Sequence, residues 1–362
     1  MSVPDPVSAE DHAWMGIALR LASASVGDTA ENPPVGCVLV KDGQLIGRGR
    51  TAAGGRPHAE TEALKQAGEA ARGATAYVTL EPCSHTGKTP PCTDALIKAG
   101  VARVVVAVGD PDPRVSGGGL AKLQAAGIKV TLCCREGEAR RVMAGFLTRL
   151  EQKRPHITLK LAVSEDLRLS AEKGKPSAVT GEIARRRSHL IRARSDAILV
   201  GIGTVLADDP TLDCRLEGLE DRSPRPIILD AGGHLPKEAK LKSRNHLVFS
   251  SAEFEAHQGL ETELVPTDAE GRLLLQPILA SLAARGLGRL MVEGGAEVAR
   301  AFIRQNLVDE LALFRAPERL GGGGAHMRGE DGISAILTSE IYDLVETLTC
   351  GKDRLETYRR KA

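Results

Sequence analysis

The sequence has few aromatic residues, no excess of charge of one sign and no long apolar run. Aromatic residues make up 2% of the chain, which leaves little for the base-stacking platforms of single-stranded nucleic-acid binders. The formal net charge is +1, so the broad basic footprint of a nucleic-acid-binding protein is absent. No apolar run approaches the length that crosses a bilayer, and the polar start lacks a signal sequence. These absences predict a cytoplasmic protein that binds neither nucleic acid nor a membrane.

The cysteines do not suggest a disulfide framework. There are seven, an odd number in a chain without an export signal, which favours reduced thiols. Five lie in or beside apolar runs, where a small buried side chain is the simpler interpretation: Cys37, Cys133, Cys134, Cys214 and Cys350. Cys83 and Cys92 lie in a loop-like segment instead. This pair is therefore the candidate for metal binding.

The length of 362 residues suits two domains, each large enough to bury a core. In residues 1–150 a helix and an Asp42-Gly43 hairpin precede alternating helices and strands, which predicts a three-layer α/β domain. The charged segment 151–155 ends in proline and is the expected linker. Residues 156–362 alternate strands and helices again, which predicts a second α/β domain; no internal repeat links the halves.

A possible metal centre lies between residues 58 and 92. His58 and Glu60 open a predicted helix, Cys83 follows a predicted strand, and Cys92 lies near the start of the next helix. Two thiolates and one imidazole give zinc three protein ligands and leave a fourth position for water, as in catalytic rather than structural sites. Zinc lowers the pKa of such a water to roughly 7. The pattern therefore predicts a hydrolytic zinc centre with His58, Cys83 and Cys92 as ligands.

Glu60 is placed to shuttle protons at this centre without binding the metal. His-x-Glu followed by Pro-Cys-x-x-Cys is the signature of zinc deaminases; here eight residues, 84–91, separate the cysteines, where the signature has two. The alternative is a structural zinc knot, which normally supplies a fourth Cys or His. His85 is the residue near enough for that position, but a substrate contact or a solvated loop residue is its favoured interpretation.

The long loop between the cysteines carries a resemblance to a known family. The segments Asn32-Pro-Pro-Val-Gly-Cys-Val38, His58-Ala-Glu60 and Thr79-Leu-Glu-Pro-Cys-Ser-His-Thr-Gly-Lys-Thr-Pro-Pro-Cys92 resemble the bifunctional deaminase-reductases of riboflavin biosynthesis, and the likeness runs nearly end to end. It implies a cytidine-deaminase-like first domain that removes an amino group from 2,5-diamino-6-ribosylamino-4(3H)-pyrimidinone 5′-phosphate.

The resemblance also implies substrate contacts in the first domain. Asn32 would hydrogen-bond the pyrimidine edge, while His85, Lys88 and Thr89 would meet the ribose phosphate. A cation and a hydroxyl on a short loop bounded by glycine and proline can hold a phosphate. Without the resemblance, Lys88 is interpreted equally well as a surface charge. Asn32 alone would be interpreted as a turn residue before Pro33.

The second half contains no His/Cys cluster and no nucleophile–base pair, which points to chemistry carried by a bound cofactor. The segment Val292-Glu-Gly-Gly-Ala296 is a predicted strand end, a glycine turn and a helix start, where backbone N–H groups can receive a pyrophosphate. It lacks the full Gly-x-Gly-x-x-Gly pattern of a Rossmann fold. Taken alone, it is better read as a helix-capping turn.

The reductase half of the same family resembles four segments of this chain: Lys160–Ser164, Arg192–Asp196, Gly201–Pro210 and Val292–Gly295. The resemblance implies a dihydrofolate-reductase-like fold, NADPH as cofactor and a homo-oligomer, a dimer or larger, formed through this half. Position by position, the implied NADPH contacts are Ala162, Thr204, Asp208, Gly295, Ala296, Glu297, Val298, Ala299, Arg300 and Ala301. The implied substrate contacts are Arg192, Leu212, Arg215 and Glu293.

The second half departs from the family pattern in two places. Many members have Ser-Leu-Asp-Gly-Lys where this chain has Ser164-Glu-Asp-Leu-Arg168, and Ser-x-Trp where it has Pro176-Ser-Ala178. Losing a tryptophan wall weakens cofactor packing more than it removes chemistry, because the hydride donor is the cofactor. An active reductase is therefore the favoured prediction. The alternatives are a degenerate reductase-like domain, a nucleic-acid deaminase and a structural zinc-binding interaction protein.

Overall fold

The computed structural model describes residues 7–87, 89–112, 115–172, 178–243, 245–251 and 261–361. It divides into two compact units, Met1–Arg154 and Pro155–Ala362. Both are α/β, as predicted from the sequence. Among the described residues, no helix has the length and apolar content needed to span a membrane.

The first unit is a five-stranded sheet with helices. Its elements are α1 (Ala9–Ala24), β1 (Gly36–Lys41), β2 (Gln44–Arg50), α2 (Ala59–Ala67), β3 (Thr75–Leu80), α3 (Cys92–Ala99), β4 (Arg103–Val108), α4 (Gly118–Ala125), β5 (Lys129–Thr131), α5 (Glu136–Val142) and α6 (Ala144–Gln152). The strand order is β2-β1-β3-β4-β5. β1 pairs antiparallel with both neighbours, and β3, β4 and β5 are parallel. β3 and β4 are almost wholly buried, as expected for strands covered on both faces.

Short-range signals account for much of this unit. Ser8 caps α1 through a reciprocal capping box with Asp11. Asp42 and Gly43, at φ 51° and 71°, form the two-residue turn between β1 and β2. The single closing helix predicted from Glu136 to Glu151 is in fact two helices, because Met143 leaves helical geometry with ψ 14°.

Helix α2 packs directly on β2 because that strand carries glycines. A Cβ at Gly47 would lie 2.3 Å from the carbonyl oxygen of Ala63, and one at Gly49 would lie 2.2 Å from that of Ala59. Any side chain at either position would push the helix away. The two glycines thus set the position of the α2 N-terminus, where His58 is the N-cap residue.

The second unit is a nine-stranded sheet. Its strands are β6 (His156–Val163), β7 (Ala197–Gly201), β8 (Arg225–Leu229), β9 (Leu247–Ser250), β10 (Glu261–Leu264), β11 (Arg289–Val292), β12 (Glu310–Arg315), β13 (Tyr342–Cys350) and β14 (Asp353–Arg360). Its helices are α7 (Glu182–Arg192), α8 (Ile202–Asp208), α9 (Leu275–Ala284), α10 (Ala296–Arg304) and α11 (Ser334–Leu337). The order is β10-β9-β8-β7-β11-β6-β12-β14-β13. All pairs are parallel except β12–β14 and β14–β13.

Four elements of the second unit differ from the expectation, and one of them, the short helix α11, was not predicted. The segment Gly201–Pro210 was expected as a loop, but it forms α8, which ends where Asp209 takes a left-handed conformation at φ 38°. β10 was not predicted. β14 was also missed, because Asp353–Arg360 is mostly charged or polar, yet it pairs on both sides, with β12 and β13.

Candidate active sites

Three ligand side chains meet in the first unit. His58 lies at the N-cap of α2, Cys83 follows β3, and Cys92 is the first residue of α3. His58 Nδ1 lies 3.3 Å from Cys92 Sγ and 3.8 Å from Cys83 Sγ, and the three ligand atoms lie within 4.8 Å of one another. These separations suit donors about 2.0–2.3 Å from one tetrahedral zinc ion. The residues therefore fit the metal that the sequence predicts; His85 is not part of this cluster.

Hydrogen bonds hold Cys83 against the start of α3. The backbone N–H of Cys92 donates to Cys83 Sγ at 3.3 Å, and the hydroxyl of Thr93 donates to the Cys83 carbonyl at 3.2 Å. A hydrogen bond from the Cys92 thiol, opposed by burial and helped by His58, lowers the pKa of Cys83 to about 4. The hydrogen bond with Cys83 and burial raise the pKa of Cys92. The lowered pKa of Cys83 favours the thiolate, the form that binds zinc.

Glu60 lies in the first turn of α2 and is 4% exposed. Burial raises the pKa of its carboxyl group, and the negative charge of Cys83 adds to that increase. A raised pKa suits a carboxyl that must first accept and then release a proton near neutral pH. The geometry thus places a proton carrier beside the three ligands.

The cysteines outside the cluster follow the prediction except at one position. All seven are free. Four are buried: Cys37, Cys134, Cys214 and Cys350. Cys133 is exposed, contrary to the prediction, because it takes a left-handed conformation at φ 64° in the turn between β5 and α5.

Asn32 lies against the segment that leads to His58. A Cβ at Gly55 would lie 2.1 Å from Asn32 Nδ2, and Gly55 has φ 89°, so only glycine fits there. The Thr29 hydroxyl donates to the Asn32 carbonyl at 2.7 Å and fixes the turn. The Asn32 side chain is therefore held in place close to α2.

The loop between the cysteines brings His85 and Thr89 together with a residue that the sequence reasoning missed. Arg56 Nη1 donates to Thr89 Oγ1 at 2.7 Å. His85 Nδ1 is buried without a hydrogen-bond partner. Lys88 lies outside the described residues. No signal in the sequence marked Arg56, since its partner is 33 positions away.

Glu81 is a second residue that the sequence reasoning missed. It is 4% exposed and directly precedes Pro82 and Cys83. Its carboxylate accepts four backbone N–H groups, from Asp110 at 3.3 Å, Gly117 at 3.1 Å, Gly119 at 3.0 Å and Leu120 at 3.4 Å. Glu81 thereby joins the metal-binding loop to the start of α4.

The second unit contains a cavity of about 410 Å³ lined by residues of β6, β12, α7 and α8 and of the turn after β11. Eight of the sequence-predicted residues line it: Ala162, Arg192, Thr204, Asp208, Leu212, Arg215, Glu293 and Gly295. The other six, residues 296–301, form the first turns of α10. Among them, Ala299 is buried in the core and Arg300 pairs with Asp331. A Cβ at Gly295 would lie 3.8 Å from Thr204 Oγ1, so the α10 N-terminus faces α8 across the cavity.

Glu293 is the centre of the charge network in this cavity. Lys160 Nζ donates to one carboxylate oxygen at 2.9 Å, and Arg192 donates to the other. Burial raises the pKa of Glu293, but the charges of Lys160 and Arg192 outweigh it and lower the pKa to about 2. Lys160 also lines the cavity; its position on a strand gave no sequence signal that separated it from an exposed lysine.

Two family models match the chain. The cytidine and deoxycytidylate deaminase zinc-binding region matches residues 8–108, and the RibD C-terminal domain matches residues 155–355. The riboflavin biosynthesis protein RibD of Escherichia coli is 39% identical over 95% of this chain and 98% of its own. The chain belongs to the RibD family. The RibD of Aquifex aeolicus is 42% identical over 86% of this chain and 88% of its own.

Solved RibD-family structures agree over nearly the whole chain. Acinetobacter baumannii RibD matches with a TM-score of 0.86 at 35% identity, covering 98% of this chain and 99% of that one. The Thermotoga maritima diaminohydroxyphosphoribosylaminopyrimidine deaminase/5-amino-6-(5-phosphoribosylamino)uracil reductase matches with a TM-score of 0.86 at 34% identity, covering 97% and 99%. The predicted fold class is confirmed. Like other RibD-family members, the protein is a bifunctional enzyme of riboflavin biosynthesis, with a zinc-binding deaminase domain and a reductase domain.

Proposed function

We propose that residues 1–150 deaminate 2,5-diamino-6-ribosylamino-4(3H)-pyrimidinone 5′-phosphate and that residues 156–362 reduce the ribosyl group of the product to ribityl with NADPH. The observation that carries the proposal is the convergence of His58, Cys83 and Cys92 beside the buried carboxyl of Glu60. The similarity to the Thermotoga maritima protein, which is named for these two activities, supports it.

In the deaminase, His58, Cys83 and Cys92 would hold one zinc ion. When bound, zinc supplies a water molecule acidic enough to act as a nucleophile at neutral pH. Glu60 takes one proton from the attacking water and passes it to the ring nitrogen. It then passes the second proton, from the hydroxyl group added to the ring carbon, to the amino group, which leaves as ammonia as the C=O bond forms. Its raised pKa supports both halves of that transfer.

The deaminase substrate would be oriented by side chains at the edge of the metal site. Asn32, held by its turn, offers an amide to the pyrimidine edge. His85, Lys88 and Thr89 lie on the loop between the cysteines and would meet the ribose phosphate. Such contacts position the ring carbon that loses the amino group for attack.

In the reductase, NADPH would, when bound, supply the hydride for C1′ of the ring-opened imine form of the substrate, and a proton from water would complete the amine. Ala162, Thr204, Asp208 and the segment 295–301 would bind the cofactor, and Arg192, Leu212, Arg215 and Glu293 the substrate. Arg215 pairs with Asp213 through Nη1, but its side chain is 58% exposed, so it is the more solvent-accessible cation. Lys160 and Arg192 are both engaged by Glu293.

The segment that departs from the family pattern supports an active rather than a degenerate reductase. Ser164 donates to Asp166 at 2.7 Å, and Asp166 also accepts the Leu320 N–H at 3.0 Å. Arg168 Nη1 donates to the Gly324 carbonyl at 2.7 Å. Ser164 and Asp166, which match the family pattern, thus lie in one hydrogen-bonded loop with Arg168, which stands where the pattern has lysine. Of the second departure, Ala178 lines the cavity, and residues 176 and 177 lie outside the described residues.

A two-stage assay tests the proposal. Ammonia release is measured with the free diaminopyrimidine nucleotide, with tRNA and with single-stranded DNA, and NADPH oxidation is then followed with the deaminated product. We expect ammonia from the nucleotide alone and stoichiometric NADPH oxidation. Activity confined to the polynucleotides would replace the first assignment, and NADPH binding without oxidation would establish a degenerate second domain. The homo-oligomeric state and the cytoplasmic location stay predictions from the sequence.

A further inference from the structure

Arg56 bridges two segments at the edge of the metal site. It lies two residues before His58 and is half-buried. Its Nη1 donates to the hydroxyl of Thr89, in the loop between Cys83 and Cys92. Two residues of extended chain span at most about 7 Å, so the guanidinium group belongs to the surroundings of the metal site.

Arg56 and His85 flank a patch of bare backbone at Gly87. A Cβ built on Gly87 would lie 3.7 Å from Arg56 Nη2 and 4.0 Å from His85 Nε2. His85 Nδ1 is buried and has no hydrogen-bond partner, while Nε2 faces this patch. A guanidinium, an imidazole nitrogen and the Thr89 hydroxyl thus border one space that no side chain of Gly87 fills. These are the donor types that bind phosphate oxygens.

Arg56 forms no ion pair with the residues that the structure describes. In the described part of the chain, no carboxylate lies within 4.0 Å of its guanidinium group, whereas Arg103 pairs with Asp11 and Arg135 with Glu138 in the same unit. Partly burying a cation without a counterion costs free energy, and a bound anion offsets that cost. A planar guanidinium also matches the geometry of a phosphate better than an ammonium does.

We propose that Arg56 binds the 5′-phosphate of the deaminase substrate, together with Thr89 and His85, and so determines the preference for a phosphorylated substrate. This inference rests on the proposed deaminase function. Arg56 contacts the phosphate group rather than the reacting atoms, so it contributes to substrate affinity and not to proton transfer. The competing interpretation is a brace that only holds the loop through Thr89.

The test measures binding without turnover. In a Glu60→Gln background, calorimetry gives the Kd of the phosphorylated pyrimidine substrate and of its dephosphorylated nucleoside. We expect Arg56→Ala to weaken binding of the phosphorylated ligand by about 10- to 100-fold and binding of the nucleoside by less than about twofold. Arg56→Lys keeps the positive charge but loses the planar guanidinium group. We expect its Kd for the phosphorylated ligand to lie between those of Arg56 and Arg56→Ala. Arg50→Ala, an exposed arginine on β2 that donates to the Ala24 carbonyl, is the matched control and should change neither Kd.

Each outcome separates the explanations. The proposal is overturned if Arg56→Ala weakens binding of both ligands equally or changes the binding of neither. Equal weakening would show that Arg56 only holds the loop through Thr89. Equal zinc content in all variants shows that the metal site has formed, and Arg56→Gln replaces the alanine variant if that one fails to fold. Ammonia release by the unmodified chain is measured in parallel. If the unmodified chain deaminates the nucleotide and Arg56→Ala still has the same preference for the phosphorylated ligand over the nucleoside, this inference alone is wrong. If the unmodified chain releases no ammonia from the nucleotide, the proposed deaminase function is wrong.

Discussion

Arg192 and Glu293 form a two-pronged ion pair in the cavity of the second unit. Nε and Nη2 of Arg192 donate to the same carboxylate oxygen at 3.0 and 2.9 Å. The remaining Nη1 donates to the Asp213 carbonyl at 2.8 Å. With Lys160 on the other oxygen, Glu293 fixes the position of two cations and stays ionised itself. The carboxylate therefore organises the substrate end of the cavity.

Replacing Glu293 by Gln should impair the reductase by weakening the binding of its substrate. The amide removes the charge that holds Lys160 and Arg192, so both cations lose their orientation. We expect the KM for the deaminated substrate to rise by about 10- to 100-fold and the KM for NADPH to change by less than about twofold. Steady-state kinetics with each substrate varied separately gives both values. Glu263→Gln, which alters an ion pair with Arg285 elsewhere in the unit, is the control. An equal rise in both KM values would contradict the assignment.

Replacing Glu60 by Gln should stop deamination and leave the metal in place. The amide cannot carry the proton, and Glu60 is not among the three clustered ligands. We expect ammonia release to fall by at least about 100-fold, with zinc content by atomic absorption and NADPH oxidation on supplied product unchanged. Glu62→Gln, on the same helix, is the matched control and should behave like the unmodified chain. Near-normal turnover in Glu60→Gln would rule out the proton-shuttle role.

The metal ligands were predictable because local sequence encodes their positions. His58 and Glu60 open one helix, and Cys83 and Cys92 border one loop, so short motifs brought all four residues to attention. The partners of Glu81 and Arg56 could not be found that way. Glu81 binds backbone groups 29 to 39 residues away, and Thr89 is 33 residues from Arg56. Contacts at that range depend on the assembled sheet, which a single sequence does not specify.

In the second unit, whole strands and helices also depend on long-range contacts that the sequence does not specify. Strand β14 has a charged sequence, yet tertiary pairing with β12 and β13 makes it a strand. Helix α8 contains Gly203 and ends before Pro210, which favoured a loop, but it follows β7 directly and places Thr204 and Asp208 on the cavity. Local propensity was overridden by packing in both cases.

Gly295 tests the cofactor end of the cavity. Its backbone, at φ −67° and ψ −179°, is open to any residue, and a Cβ there would point toward Thr204 without a clash. Gly295→Ala should therefore fold normally but place a methyl group where the α10 N-terminus is exposed to ligand. We expect NADPH affinity, measured by fluorescence titration, to fall by about tenfold, close to 1.4 kcal/mol. Gly203→Ala, where a Cβ meets nothing within 4 Å, is the control. Unchanged NADPH affinity in Gly295→Ala would place the cofactor elsewhere.

Asp11 gives the first unit a pH-dependent stability. It is 1% exposed and accepts hydrogen bonds from Arg103 at 2.8 and 3.0 Å, from the Ser8 N–H at 2.9 Å and from the Tyr77 hydroxyl at 3.0 Å. Burial raises the pKa of Asp11, but these bonds outweigh burial and lower it from 3.8 to about 2. Folding thus favours the ionised carboxylate. Its contribution is complete above about pH 5 and is lost as the pH falls through 3.8 toward 2.

Replacing Asp11 by Asn should therefore destabilise the first unit at neutral pH more than in acid. We expect the free energy of unfolding to fall by about 2 kcal/mol at pH 7, from roughly 1.4 kcal/mol per pKa unit, and the difference to shrink toward pH 2. Trp14 is the only tryptophan in the sequence and lies on α1 beside Asp11, so its fluorescence in urea reports unfolding of this unit. Asp94→Asn, which alters an exposed pair with Lys122, controls for the loss of one charge and should change stability by less than about 0.5 kcal/mol. A difference between Asp11→Asn and the unmodified chain that is the same at pH 7 and pH 3 would show that packing around Asp11, and not its charge, carries the effect.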